Sequence, residues 1–367
     1  MSTTRAVATA GKTSSATATT NATMTTTALY NAEQESIYKR YHDKHSASYI
    51  IRTAAAGGIA GCMAKTVIAP LDRVKILFQA SNPKFQKYAG SWLGVFQVAR
   101  QLYILDGYRG LFQGHSATLI RIFPYAAVKF VAYEQFKHVW ILMPTRASEN
   151  SIRQFVAGSL AGITSVLVTY PLELVRVRLA FEIRKDTRIG LRSIYSQIYS
   201  EPAASRRVLF HFPLRNFYRG LLPTIMGMVP YAGVSFLTHH ALSEFCRNRL
   251  TELTTDPSLV RDKLDGRGQK RRAPLKTWAE MVVGGLSGAI AQTVSYPFEV
   301  IRRRMQVYGA LDPARFVGIW ETTRTIWMQN KFRGFFVGLT IGYLKVTPMV
   351  AVSFTVYDRM KLLFNVD

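Results

Sequence analysis

Three stretches of this chain overlay without a gap, and a chain that repeats itself has to be read as repeats before anything else is inferred. They are GGIAGCMAKTVIAPLDRVKILFQ from Gly57, GSLAGITSVLVTYPLELVRVRLA from Gly158 and GGLSGAIAQTVSYPFEVIRRRMQ from Gly284. In each, a Gly-x-x-x-Gly ends nine residues before a proline, an acid follows that proline by two and a base by five. A second set, Pro124, Pro230 and Pro348, lies 54, 59 and 51 residues after Pro70, Pro171 and Pro297, so each repeat has two halves.

Both halves read as membrane-crossing helices. Gln154 to Leu172 and Gly220 to Thr238 each run 19 residues without Asp, Glu, Lys or Arg, and Met281 to Phe298 runs 18, close to the ~20 that a bilayer requires. Charged residues make up 19% of the chain, below the ~25% usual in soluble domains. The expected fold class is therefore an all-α membrane protein of six transmembrane helices in three pseudo-symmetric two-helix repeats, joined by short surface helices such as Tyr88 to Leu105 and Phe316 to Met328. The Gly57/Gly61, Gly158/Gly162 and Gly284/Gly288 pairs suit close helix packing. The motif prolines are either functional kinks or passive bends.

The expected domains are a disordered Ser/Thr/Ala-rich tail over 1–45, repeats over 46–146, 147–250 and 277–367, and a charged linker over 251–276. The tail's composition is shared by mitochondrial presequences. A balance of 47 basic against 22 acidic residues, +25 overall, requires an anionic partner: nucleic acid, lipid head groups or a phosphorylated small molecule. A nucleic-acid-binding protein would gather its bases on one face, whereas here they recur at fixed offsets from prolines inside apolar stretches. Two cysteines, Cys62 and Cys246, exclude a disulfide framework and a cysteine-based metal site. No nucleophile, phosphate loop or metal cluster has supporting context, so no enzyme, catalytic residue, metal or cofactor is expected; His239 and His240 lack a third ligand.

Lys65, Arg121, Lys129 and Lys345 interrupt the apolar segments. A charge inside a membrane costs ~2.5–3.5 kcal/mol on insertion scales and belongs in a protein or water interior, unless it snorkels from a helix end. By repeat symmetry, the residues three before each second proline, Arg121, Gly227 and Lys345, share one depth. No acid stands at a matching position to neutralise the four cations.

Proline-x-acid-x-x-base, three times over, resembles the signature of the mitochondrial carrier family: PLDRVK at Pro70, PLELVR at Pro171, PFEVIR at Pro297. The second half of that signature is partial: Asp106-Gly107 with Phe112-Gln113-Gly114, then Tyr218-Arg219-Gly220 and Phe336-Val337-Gly338, with the acid-glycine pair in repeat one only. The resemblance implies alternating access across the inner mitochondrial membrane, both termini toward the intermembrane space, a monomer, and inner-membrane lipid such as cardiolipin as neighbour. It implies a matrix gate pairing Asp72 with Arg176, Glu173 with Arg302 and Glu299 with Lys75, braced by Gln79 and Gln306, with Ala180 at the third brace position. Acid and base three apart also suit pairing within one helix, and spacing leaves both arrangements open. The cytoplasmic gate would use Tyr133, Glu134 and Lys137 with Tyr357, Asp358 and Lys361; repeat two offers His240 and Ser243 there, leaving one link, Asp358 with Lys137.

The resemblance also implies that Arg121, Gly227 and Lys345 contact the substrate, and that Gly227-Met228 goes with adenine-containing cargo. Glycine leaves room for a purine, Met228 packs softly against it and Tyr231 stacks; the bland alternative is helix packing. Lys65, Arg121, Lys129 and Lys345 suit several phosphate oxygens. Longer stretches, among them GHSATLIRIFPYAAVKFVAYEQFK from Gly114 and GYLKVTPMVAVSF from Gly342, are similar to the fungal branch of the family that carries coenzyme A. The expected cargo is coenzyme A or a precursor such as dephospho-coenzyme A, with exchange of adenine nucleotides or adenosine bisphosphate as the alternative.

Overall fold

The computed structural model describes residues 47–88, 90, 92–141, 150–183, 190–201, 213–255, 274–312 and 317–364. The tail over 1–45 and most of the linker over 251–276 lie outside the described residues. Two compact units are distinguished, residues 1–60 with 354–367, and residues 61–353. The first holds the beginning of one helix and the end of the last; everything below concerns the second unless stated.

The described residues are almost entirely helical. Three long helices carry the first motif: α1 (Ala47–Gln79), α4 (Asn150–Phe181) and α7 (Thr277–Leu311), with Pro70, Pro171 and Pro297 inside them. A short helix follows each: α2 (Trp92–Leu111), α5 (Leu191–Ser200) and α8 (Ile319–Asn330). The second half of each repeat is α3 (His115–Ile141), then α6 (Leu221–Arg249), then α9 (Leu339–Leu344) continued by α10 (Val346–Leu363). Proline lacks the N–H that a helix needs four residues after each carbonyl. Pro124 and Pro230 are absorbed within continuous helices, whereas ahead of Pro348 the helix breaks at Lys345. Among the described residues, four stretches are long and apolar enough to cross a membrane: Ile51–Gln79, Val156–Phe181, Leu214–Arg249 and Ile319–Leu363.

Three apolar cores form, each built around the post-proline half of a long helix, where the short helix closes over it, the first of them also drawing in Val177 and Val307 of the other long helices. Leu77 and Val98 with Leu102 of α2, Leu174 with Ile194 and Ile198 of α5, and Val300 with Ile326 of α8 are all buried, each such side chain contributing about 1.5–3 kcal/mol. The other face of the short helices turns aromatics outward: Phe96 and Tyr103, Tyr195 and Tyr199, Trp320 and Trp327. Amphipathic rings of this kind anchor at a membrane interface. Before the prolines the pattern inverts: Met63, Val67, Val168, Leu286, Ile290 and Val294 are exposed, an arrangement that lipid favours and water does not.

The packing role expected of the Gly-x-x-x-Gly pairs is largely overturned. Gly162 faces the Met228 methyl and Gly158 the Tyr133 ring, but a side chain at Gly61, Gly284 or Gly288 would meet nothing within 4 Å. Close approach occurs instead at Gly114, Gly220 and Gly338, the glycines opening the second half of each repeat, with φ of 84°, 85° and 84°. A methyl group at Gly220 would sit 3.0 Å from the Tyr170 hydroxyl and 3.1 Å from the Arg302 carbonyl. Glycine is thus needed twice over, for the left-handed backbone and for the neighbouring helix.

Candidate functional site

Where α1, α4 and α7 pass their prolines, three ion pairs close a ring. Arg176 Nη2 lies 3.1 Å from Asp72, Arg302 Nη2 2.9 Å from Glu173, and Lys75 Nζ 2.9 Å from Glu299. Of the two arrangements the sequence left open, pairing is between helices: α1 to α4, α4 to α7, α7 to α1. A proline-bent helix aims its acid and its base, one turn apart, at different neighbours.

Below the ring, Gln79 Nε2 donates to the Tyr296 hydroxyl at 3.0 Å and Gln306 Nε2 to the Tyr170 hydroxyl at 3.1 Å. Those tyrosines, each immediately before a motif proline, donate on to the carbonyls of Val337 and Arg219. Each glutamine therefore ties two long helices to the start of a second-half helix. The tyrosines were not singled out from sequence, although their position one before the proline in two repeats was a readable signal.

The cations assigned to the cargo require a correction. No acid matched them by position, yet Arg121 Nη1 reaches Glu173 at 2.7 Å and Lys345 Nζ reaches Asp72 at 2.9 Å. Long, flexible basic side chains bridge the levels that repeat symmetry keeps apart. Arg303, beside Arg302 and overlooked, adds a further contact to Glu173 at 2.8 Å. Six cations, Arg121, Arg302, Arg303, Arg176, Lys345 and Lys75, thus meet three carboxylates. Lys65 Nζ lies 3.5 Å from the Met349 sulfur, a weak acceptor. The Nε atoms of Arg302 and Arg303 are buried without a hydrogen-bond partner. Lys129, exposed two turns along α3 from Arg121, is not brought to this cluster.

Gly227 sits against α7: a side chain there would stand 3.0 Å from Phe298 Cβ. The room that its glycine leaves is therefore taken up by Phe298, which favours the helix-packing reading. Met228 reaches Gly162 of α4, and Tyr231 is 46% exposed.

Sequence reasoning also missed a buried cluster at the end of α5. Arg178 pairs with Glu201, Arg219 lies 3.4 Å from the same carboxylate, and Arg178 Nε donates to the Gln306 carbonyl of α7 at 3.2 Å. Pro202 follows Glu201, so the acid lacked the glycine by which repeat one announces its counterpart, Asp106. Of the proposed outer residues, Glu134 and Lys137 are exposed. In the other unit Lys361 Nζ lies 5.8 Å from the Tyr357 ring. The two histidines face different acids, His239 with Glu280 of α7 at 3.1 Å and His240 with Glu244 at 3.9 Å.

The family model described as mitochondrial carrier protein matches residues 46–143, 147–250 and 273–367. Mitochondrial carrier protein LEU5 of Saccharomyces cerevisiae is 50% identical over 345 residues, covering 89% of this chain and 94% of that protein. Solute carrier family 25 member 16 of Bos taurus is 40% identical over 87% of this chain and 90% of its own length. Mitochondrial carrier protein CoAc2 of Zea mays is 35% identical over 86% and 87%.

Proposed function

This chain belongs to the mitochondrial carrier protein family, a family of transporters, and from that premise we propose that it carries coenzyme A, or a precursor such as dephospho-coenzyme A, across the inner mitochondrial membrane by alternating access. The observation that carries this reading is the excess of cations over carboxylates around Glu173, Asp72 and Glu299. Unbalanced charge in partly buried surroundings is costly until an anion answers it. A cargo with several phosphate groups supplies that anion, and the name of the Zea mays relative points the same way.

The mechanism follows from the shared partners. In this conformation Arg121 and Lys345 are held by Glu173 and Asp72, the acids that also hold α4 to α7 and α1 to α4. Phosphate oxygens compete for the same two cations. A bound cargo takes Arg121 from Glu173 and Lys345 from Asp72, and with them the cross-links from α3 to α4 and from the α9–α10 junction to α1. We assign the ring, with Gln79 and Gln306, to the matrix gate, and Met228 with Tyr231 to the adenine end of the cargo. The termini then face the intermembrane space.

Purified protein in detergent, heated with coenzyme A, adenosine 3′,5′-bisphosphate, ADP or ATP in parallel, tests the assignment, because a ligand that binds only the folded state raises the unfolding temperature. Coenzyme A is expected to give the largest rise. A rise with ADP and ATP and none with coenzyme A would overturn the cargo while leaving the family intact.

A further inference from the structure

The residues four after Arg121, Gly227 and Lys345 are Tyr125, Tyr231 and Met349, each directly behind the second proline of its repeat. Side chains four apart lie on one face of a helix, so each of the three neighbours the residue one turn before it. In α3 that neighbour is Arg121, whose guanidinium carbon stands over the Tyr125 ring, 5.7 Å from its centre. A cation and an aromatic face attract within ~6 Å. In α6 the neighbour is Gly227, which has no side chain to lay over Tyr231, and that ring is 46% exposed. At the α9–α10 junction Lys345 turns to Asp72, while the Met349 sulfur lies 3.5 Å from Lys65 Nζ. One tyrosine is therefore covered by a cation and the other is open.

The covered ring offers Arg121 a contact of a different kind from its acid. Arg121 Nη1 lies 2.7 Å from Glu173 Oε2, a contact that uses one of the five N–H donors of the guanidinium. The ring attracts the charge of the group as a whole and needs no donor. The two contacts do not compete, so a phosphate that displaces Glu173 leaves the one to Tyr125 intact. With Glu173 as its only hold, the side chain would regain its rotamers when the acid is displaced, and the cargo would have to order it again. We infer that Tyr125 is the positioning residue for Arg121, holding the guanidinium in place while its partner changes from Glu173 to a phosphate of the cargo. The inference rests on the coenzyme A reading above.

Uptake of labelled coenzyme A over a range of concentrations, into liposomes holding the full-length protein, tests it. The proteins compared are wild type, Tyr125→Leu, Tyr125→Phe, Arg121→Ala and the double variant of Tyr125→Leu with Arg121→Ala. Tyr125→Leu removes the ring and should raise the apparent KM about three- to tenfold while the maximal rate changes less than about twofold, the size of one cation–aromatic contact. Tyr125→Phe keeps the ring and should match wild type. Without the guanidinium there is nothing to position, so Tyr125→Leu added to Arg121→Ala should cost less than about twofold more. A wild-type KM in Tyr125→Leu, an equal loss in Tyr125→Phe, or the same loss with and without Arg121 overturns the inference; the last would make Tyr125 a packing residue of α3. If wild type takes up no coenzyme A, the cargo reading fails on its own. The coupling is then read from the unfolding temperatures of the same proteins without cargo: single shifts that sum to more than the double support the pair, and additive shifts overturn it.

Discussion

Glu173 is 2% exposed and accepts hydrogen bonds or ion pairs from Arg121, Arg302 and Arg303, whereas Glu299 meets Lys75 alone among the pairs of the ring. Neutralising a buried acid strands its cations, an effect of about 3–5 kcal/mol. Glu173→Gln should therefore lower the unfolding temperature of the purified carrier clearly more than Glu299→Gln. Equal shifts in a thermal-denaturation assay would mean that the three arginines add nothing to the hold on Glu173. Sequence named Glu173 and Arg302 because both sit in the motif. It could not name Arg303, which has no counterpart in the other repeats, nor see that Arg121 reaches Glu173, because a flexible guanidinium links levels that repeat symmetry keeps apart. The pairing itself was also illegible: one turn between acid and base satisfies a within-helix contact as well as a contact between helices.

The long helices were legible because charge-free runs and motif prolines recur together; what escaped were features that depend on a neighbour. Helix α5 is readable only as a short amphipathic spacing of Leu191, Ile194 and Ile198, the break at Lys345 does not follow from proline alone, since Pro124 and Pro230 are tolerated, and the Gly-x-x-x-Gly stretches mostly face open space. Close packing sits at the start of α6, where Gly220 meets Tyr170 and Arg302. Gly220→Ala is expected to cost about 1–3 kcal/mol from left-handed strain and crowding. Gly233→Ala, on the same helix with nothing within 4 Å, should be neutral or stabilising by up to about 1 kcal/mol. If chemical or thermal unfolding showed the two variants alike, the contact between α6 and the long helices would not be the reason for the glycine.

Across the chain, threefold repetition supplies the fold. Repeat one departs at Ala69, Arg73 and His115, repeat two at Ala180, and both departures border one cavity. A net charge of +25 adds a long-range attraction for polyanions that salt screens over about 8–10 Å. The apparent KM for coenzyme A should accordingly rise as ionic strength is increased, and a KM independent of salt would argue that the charge serves another end. The central claim is that Arg121 and Lys345, now held by the ring acids, are the groups a phosphorylated cargo takes over. Uptake of labelled coenzyme A into liposomes by wild type and by Arg121→Ala and Lys345→Ala tests it most directly. The expected result is saturable uptake by wild type and a loss of tenfold or more in each variant, as for charge-assisted contacts removed from a binding site; uptake by both variants at the wild-type rate would contradict it.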